Sequence, residues 1–516
     1  MQTWLRDTVF YEIYPQSFYD TNGDGIGDIE GIIEKLDYIR SLGCNALWIN
    51  PWYDSPFKDA GYDVRDYKKV AARYGTNEDA KRLFDAAHAK GIRVLLDLVP
   101  GHTSEEHPWF QKSGEAERNE YSDRYIWTDH WIAGVPGHPY IGGEMPRNGV
   151  YMLNFFKCQP ALNYGFRHPV YSWQKAMDDP VCLATREAMK DVMRFWLAMG
   201  CDGFRVDMAD SLVKDDDEEK SGTCEVWRDL LGSMRAEFPE AAFVSEWSDP
   251  CLSLLSAGFD MDFCLDHPGN GYHSLLRDFD DPQHDRSYFR RENQRRDIRR
   301  ALSDYESLYT VTKGHGCISL ITCNHDTPRA SRTLSPEELK IAWAVILTLP
   351  GVPFLYYGDE IGMRYLADIP TKEGGYTRTG TRTPMQWDRS KNFGFSEAEK
   401  EELYLPQDPS EDAPCVSAQE NDPDSLLAAV RSVIALRHAK KDLQADADFS
   451  VLCDDPGRPF VYRRGSLILT VNPSGNEMTY VDPALTGCRI LYSIGKTEIY
   501  DDAVILGGSS FAVFER

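Results

Sequence analysis

Eight short apolar runs, each followed by a helical pattern, constrain this chain more than any other feature. They read VFYEIYPQSF, NALWINPWY, RVLLDLVPGH, GFRVDMAD, AFVSEW, MDFCLD, ISLITCNHD and VPFLYYGDE. Strands alternating with helices predict a parallel sheet covered by helices, and eight such units predict an α/β fold, a closed (β/α)8 barrel. Two stretches break the rhythm. Between the third and fourth runs lie roughly a hundred residues rich in Gly, Pro, His and aromatics, too many for a simple connection. After NDPDSLLAAVRSVIALRHAKKDL the chain turns to short alternating strands, FVYRRGSLILTVNPSG and GSSFAVFER. The expected organisation is a barrel built from residues 1–101 and 175–440, an inserted domain at 102–174 and a C-terminal antiparallel β-sandwich at 441–516. At 516 residues the chain exceeds what one hydrophobic core serves, which agrees with several units.

Charge narrows the partners. Subtracting 82 acidic from 56 basic residues leaves −26, with no compensating basic run, so neither nucleic acid nor an anionic membrane is expected. A neutral small molecule fits better. No apolar run is long enough to span a bilayer, and the N-terminus has no basic region followed by an apolar segment, so no signal peptide is expected. The twelve cysteines are scattered without C-x-x-C spacing, which suggests reduced thiols in a cytoplasmic enzyme. No phosphate-binding glycine motif or cofactor lysine signature is present, so no organic cofactor is expected. Oligomeric state is not legible.

In a parallel barrel the strand C-termini gather at one face, where active sites are built. Four runs end there in charged or imidazole groups: Asp97 with His102, Arg205 with Asp207, Glu246, and His325 with Asp326. Any single one reads as a structural ion pair or a helix cap. Three strands delivering carboxylates to one rim read as chemistry. Two carboxylates flanking a sugar–sugar bond suffice for hydrolysis with retention if they lie about 5–5.5 Å apart. Arg205 shares a strand face with Asp207, so it is expected to hold that carboxylate as an anion. Glu246 must stay protonated, and Val244 and Trp247 are expected to supply an apolar setting.

The texts YPQSFYDTNGDGIGD, GYDVRDY, DLVPGH, GFRVD, SEW, NHD, GDEIG and RTPMQW, in this order across nearly the whole chain, resemble the α-amylase superfamily of retaining glycoside hydrolases. The nearest branch is that of oligo-1,6-glucosidases, α-glucosidases and trehalose synthases. The resemblance implies Asp207 as nucleophile, Glu246 as general acid/base and Asp326 as the carboxylate gripping ring hydroxyls. It implies substrate contacts for His102, His325, Tyr62 as a sugar-stacking ring and Asp59 as the residue closing the pocket around a terminal glucose. Asp97 is expected to pair with Arg205, and RTPMQWD to shape outer sugar sites or simply to pack. The residue after the nucleophile, often Val in α-1,6-active relatives and Ala or Thr in α-1,4-active ones, is Met208 here, from which no linkage is read.

The implied activity is a retaining α-glucosidase on short malto- or isomalto-oligosaccharides. A transglycosylase or isomerase such as a trehalose synthase is the alternative. A non-catalytic partner-binding member of the fold is disfavoured by the three acids present.

In DTNGDGIGD, Asp20, Asn22, Asp24 and Asp28 alternate with small residues, which suits oxygen ligation of calcium in a tight loop, although Gly31 stands where an EF-hand has Glu. A metal-free Asx-rich turn is the other reading. The resemblance implies a structural calcium there, with the Ile26 carbonyl contributing. The family's second, interdomain calcium is not expected, because its ligand positions hold Gly101, Ala161 and Ser211.

Overall fold

A computed structural model describes residues 2–128, 137–265, 271–277 and 287–516. The eight runs form eight parallel strands: β1 (Phe10–Ile13), β2 (Ala46–Ile49), β3 (Arg93–Leu98), β4 (Gly203–Val206), β5 (Ala242–Ser245), β6 (Met261–Cys264), β7 (Cys317–Leu320) and β8 (Phe354–Tyr356). Asp266, which ends the sixth run, lies outside the described residues. Each strand neighbours the next in the sheet, and β1 also pairs with β8. The ring closes where Ile321 bridges Phe354 and the Thr322 amide donates to the Phe354 carbonyl at 3.1 Å. Core lies on both faces of a barrel strand, so the runs are almost continuously apolar. The few polar residues within them are therefore conspicuous.

Local sequence explains the covering helices. Thr76 and Asp79 form a capping box for Asn77–Ala89, Asp179 caps Pro180–Met199 with proline in the first turn, and Ser335 and Glu338 box Pro336–Thr348. After β5 the expected α-helix is replaced by a short π-helix, Cys251–Ala257. The glycine of GFRVD is obligatory: Gly203 has φ +146°, and a Cβ there would lie 1.8 Å from the Ala242 carbonyl oxygen on β5.

Within the inserted stretch, Trp127–Thr128, Tyr140–Gly142 and Val150–Met152 make a small antiparallel sheet, and His102 at the end of β3 bridges Ala161. C-terminal to the barrel, a five-stranded and a three-stranded antiparallel sheet pack Val461, Ile468 and Phe514 of one against Tyr480, Val504 and Leu506 of the other, giving the expected sandwich. Two buried arginines meet at the end of helix Pro336–Thr348, Arg437 from the barrel's last helix and Arg464 from the sandwich, and Arg464 joins the two units. Arg437 donates to the carbonyls of Leu347 (2.9 Å) and Gly351 (2.6 Å), and Arg464 to those of Thr348 and Gln444, satisfying acceptors that a helix terminus leaves open. All twelve cysteines are free, and no helix among the described residues is long and apolar enough to cross a membrane.

Candidate active site

The barrel brings Asp207, Glu246 and Asp326 to the same rim. Arg205 on β4, 1% exposed, organises the first two. Its Nη1 lies 2.8 Å from Asp97 Oδ1 and 3.1 Å from Asp207 Oδ1, while its Nη2 lies 2.6 Å from Glu246 Oε2. The Met208 amide also donates to Glu246 Oε2, at 3.0 Å. Arg205 thus pairs with Asp97, as expected, and its ion pairs reach both candidate catalytic acids.

Two expectations change. One guanidinium faces three carboxylates, which together would carry a net charge of −2 if all were ionised. Burial pushes Asp207 well above the usual carboxylate range; Arg205 opposes this, while Glu246 and Asp97 add to it. Burial likewise raises Asp97 to about 6 against the pull of Arg205. Arg205 therefore limits the rise of Asp207 in the free enzyme without reversing it, because its charge is shared. Glu246, in turn, sits in an ion pair rather than an apolar niche. Val244 is aligned with Arg205 across the β4–β5 ladder, so the arginine reaches the end of β5.

Opposite this cluster, Asp326 is held by two arginines that the sequence reading did not single out. Its Oδ1 lies 3.0 Å from Arg378 Nη1 and 2.7 Å from Arg382 Nη2. Burial would raise the Asp326 carboxyl, but His325, Arg378 and Arg382 together outweigh it and hold the group well below its ordinary range. Arg378 also reaches Asp59 Oδ1 at 3.3 Å, and Gln159 donates to Asp59 Oδ2 at 2.8 Å. The Tyr62 hydroxyl lies 2.9 Å from both Asp97 Oδ2 and His325 Nε2, and its ring stacks on the His325 imidazole. His325 Nδ1 faces Glu12 Oε1 at 2.9 Å. His102 Nε2 is 3.2 Å from the Tyr62 carbonyl and Nδ1 is 3.2 Å from Asn154 Nδ2. Burial pushes His102 down to about 3 and His325 well below its ordinary value, so both imidazoles are neutral at neutral pH. All eight predicted catalytic and sugar-contacting residues thus join one connected polar network.

Comparison with known proteins gives the family. The catalytic-domain model of α-amylases matches residues 12–446. The chain belongs to the α-amylase family. It is a glycoside hydrolase. An oligo-1,6-glucosidase of Heyndrickxia coagulans is 32% identical over 547 residues, 94% of this chain and 94% of that one. A trehalose synthase/amylase of Mycobacterium tuberculosis is 34% identical over 496 residues, 84% of this chain and 75% of that one. A crystal structure of an isomaltulose synthase mutant from Erwinia rhapontici NX5, in complex with its natural substrate sucrose, superposes with a TM-score of 0.82 at 26% identity, covering 100% of this chain and 99% of that one.

In this α-amylase family member the RTPMQW text divides its labour. Trp387 is packing: it is buried edge-on to Phe18 and Tyr38 and donates to the Phe18 carbonyl at 3.0 Å. Arg382 is the part that reaches the site. A basic residue among the small and apolar ones after β8 was the available signal for it. Gln159, Asn154 and Glu12 gave none, because their roles depend on which strands become neighbours.

Of the three positions lacking calcium ligands, Gly101 and Ser211 meet around Asn154. A Cβ at Gly101 would lie 2.8 Å from Asn154 Nδ2 and 3.1 Å from Ser211 Oγ. The buried Lys214 ammonium donates to Asn154 Oδ1 at 3.0 Å and to the Ser211 carbonyl, and burial lowers it to about 8. A protein cation thus stands beside these positions.

In the loop 20–28 the acidic side chains cap their own backbone. Asp20 accepts from the amides of Asn22 (3.0 Å), Gly23 (2.8 Å) and Gly25 (2.8 Å), and Asp24 from that of Ile26 (2.9 Å). Asp28 accepts from Thr21 and caps the helix Ile29–Glu34 through Gly31. The donor chemistry, all oxygen, suits a hard cation. Among the described residues, however, no three His, Cys, Asp or Glu side chains converge closely enough to hold an ion.

Proposed function

We propose that the protein is an exo-acting α-glucosidase for short malto- or isomalto-oligosaccharides, working by double displacement through a glucosyl-Asp207 intermediate. The observation that carries this reading is the placement of Asp207 and Glu246 on the two arms of Arg205, opposite the carboxylate Asp326. Neighbouring acids suit retention, whereas inversion needs a wider gap with a water between them. In this mechanism Glu246 hands a proton to the leaving oxygen while Asp207 attacks as the carboxylate. Asp326, kept anionic by Arg378 and Arg382, can accept hydrogen bonds from sugar hydroxyls. The Asp59–Arg378 pair, whose arginine also holds Asp326, supports a pocket closed around one terminal glucose and hence exo action on short chains.

Incubation with maltose, isomaltose, sucrose and soluble starch, followed by chromatography, tests this. Glucose from the disaccharides, with starch spared, is expected. Asp207→Asn should lower kcat by roughly a thousandfold or more while the protein stays folded; substantial residual turnover would refute the assignment. A second reading is favoured by the names of the relatives: transfer of the glucosyl group to a sugar hydroxyl, giving trehalose or another isomer in the same assay. The free thiols support a cytoplasmic location, and the oxygen-rich loop at Asp20, Asn22, Asp24, Ile26 and Asp28 supports a structural calcium, whose role when bound would be to rigidify that loop.

A further inference from the structure

A catalytic acid works only if its carboxyl is held within reach of the leaving oxygen, and a misplacement of about 1 Å costs on the order of a hundredfold in rate. Glu246 stands one residue past the end of β5, where the strand ladder stops supporting the chain. Its own backbone is tied to the β4 side: its amide donates to the Val206 carbonyl at 3.0 Å, and its carbonyl accepts from the Ala209 amide at 3.2 Å.

The β6 side is held by a side chain that takes no part in the proposed chemistry. Asp262 is fully buried on β6, level with Ser245 of β5. Its Oδ1 accepts from the Ser245 hydroxyl at 2.7 Å, the Trp247 amide at 3.2 Å and the Ser248 amide at 3.3 Å. These donors stand on both sides of Glu246. The other oxygen, Oδ2, has no hydrogen-bond partner among the described residues. Successive amides aimed at one oxygen make a concavity that holds an anion, and forming it here takes a left-handed Ser248, φ +60°, which a residue other than glycine adopts only under constraint. Burial raises Asp262 to about 7, opposed chiefly by hydroxyl and amide donors rather than by a cation. A buried carboxyl and a strained turn each oppose folding, yet together they fix the turn that carries Glu246.

We propose that Asp262 is a positioning residue for the general acid: by clamping Ser245, Trp247 and Ser248 it keeps the Glu246 carboxyl beside Arg205 and within reach of the glycosidic oxygen. The inference rests on the glucosidase reading above. The proton still passes from Glu246 to the departing oxygen as the C1–oxygen bond breaks and Asp207 bonds to C1. Asp262 exchanges no proton with the substrate.

The test uses leaving groups. Fluoride departs with little protonation whereas a sugar oxygen needs the acid, so a displaced Glu246 shows as a loss on disaccharides that α-glucosyl fluoride does not share. The ratio of kcat/KM for maltose and isomaltose to that for α-glucosyl fluoride is compared in the wild type, Glu246→Gln, Asp262→Ala, Asp262→Asn and Ser245→Ala. It should fall about a hundredfold or more in Glu246→Gln, about thirtyfold in Asp262→Ala and about fivefold in Ser245→Ala, which removes one hydrogen bond. Asp262→Asn keeps an accepting oxygen and should restore most of the ratio. If Asp262→Ala lowers all substrates equally or none, or if Asp262→Asn falls as far as alanine does, the clamp is overturned and the glucosidase reading stands. Should Asp262→Ala fail to fold, Ser245→Ala decides, an unchanged ratio overturning the clamp. A Glu246→Gln variant without the selective loss, or a wild type that cleaves none of the three substrates, overturns the glucosidase reading and the clamp with it.

Discussion

In the proposed mechanism the reaction depends on the charge state of Asp207, which burial and the charged groups around it set. Arg205 lowers its pKa, whereas burial, Glu246 and Asp97 raise it. The acid limb of the kcat/KM profile, which reports groups of the free enzyme, should therefore lie above the ordinary aspartate value of about 3.9. Asp97→Asn removes one negative neighbour and releases part of Arg205 to Asp207. It should move that limb to lower pH by about one unit. A limb that stays in place or moves up, measured between pH 3 and pH 7, would show that Asp97 does not tune the nucleophile. Most of this site is readable from residue types at strand ends, because a charged group inside an apolar run is rare without a purpose. The sharing of Arg205 is not readable. It arises from the β3–β4 and β4–β5 register, which sets Asp97 and Val244 directly opposite Arg205.

Among the elements, the loop 20–28 carries a separate question. Its carboxylates already satisfy backbone amides, so it can be a stable turn without an ion or a calcium loop whose ligands draw inward when the ion binds. If calcium is resident, EDTA should lower the unfolding midpoint by several degrees and added calcium should restore it, since an ion that binds only the folded state stabilises by mass action. A midpoint indifferent to both reagents, read by scanning calorimetry, removes calcium from the account. Sequence shows the donors here but not their convergence, because side-chain torsions, not spacing, decide whether three carboxylates meet.

For the whole molecule, stability should depend on pH through carboxyl groups far from the site. Glu360 is fully buried after β8, where its Oε1 accepts from Tyr11 (2.8 Å) and Tyr38 (2.7 Å), and its Oε2 has no hydrogen-bond partner among the described residues. Burial raises it from 4.5 to about 7. A carboxyl raised in the folded state contributes stability that is complete below the unfolded value and is lost as pH rises through the folded one. The loss here is on the order of 3 kcal/mol between pH 4.5 and pH 7. Glu360→Gln cannot ionise and keeps an acceptor for the tyrosines. Its unfolding midpoint should be flatter with pH than the wild type's, and parallel curves would exclude Glu360 as the source.

Sequence by itself determined the barrel, since eight apolar runs with helical spacers have few other ways to bury both faces of their strands. It also offered the three acids as candidates, since each stands near the C-terminal end of such a run. Tertiary structure decided what surrounds them: Arg378 and Arg382 on Asp326, Gln159 on Asp59, Glu12 behind His325 and Lys214 beside the unfilled ligand positions. Along the chain Arg378 and Arg382 lie 52 and 56 residues from Asp326, Gln159 lies 100 from Asp59 and Glu12 lies 313 from His325. Their meeting depends on barrel closure, and closure is set by how strands pair rather than by any local pattern.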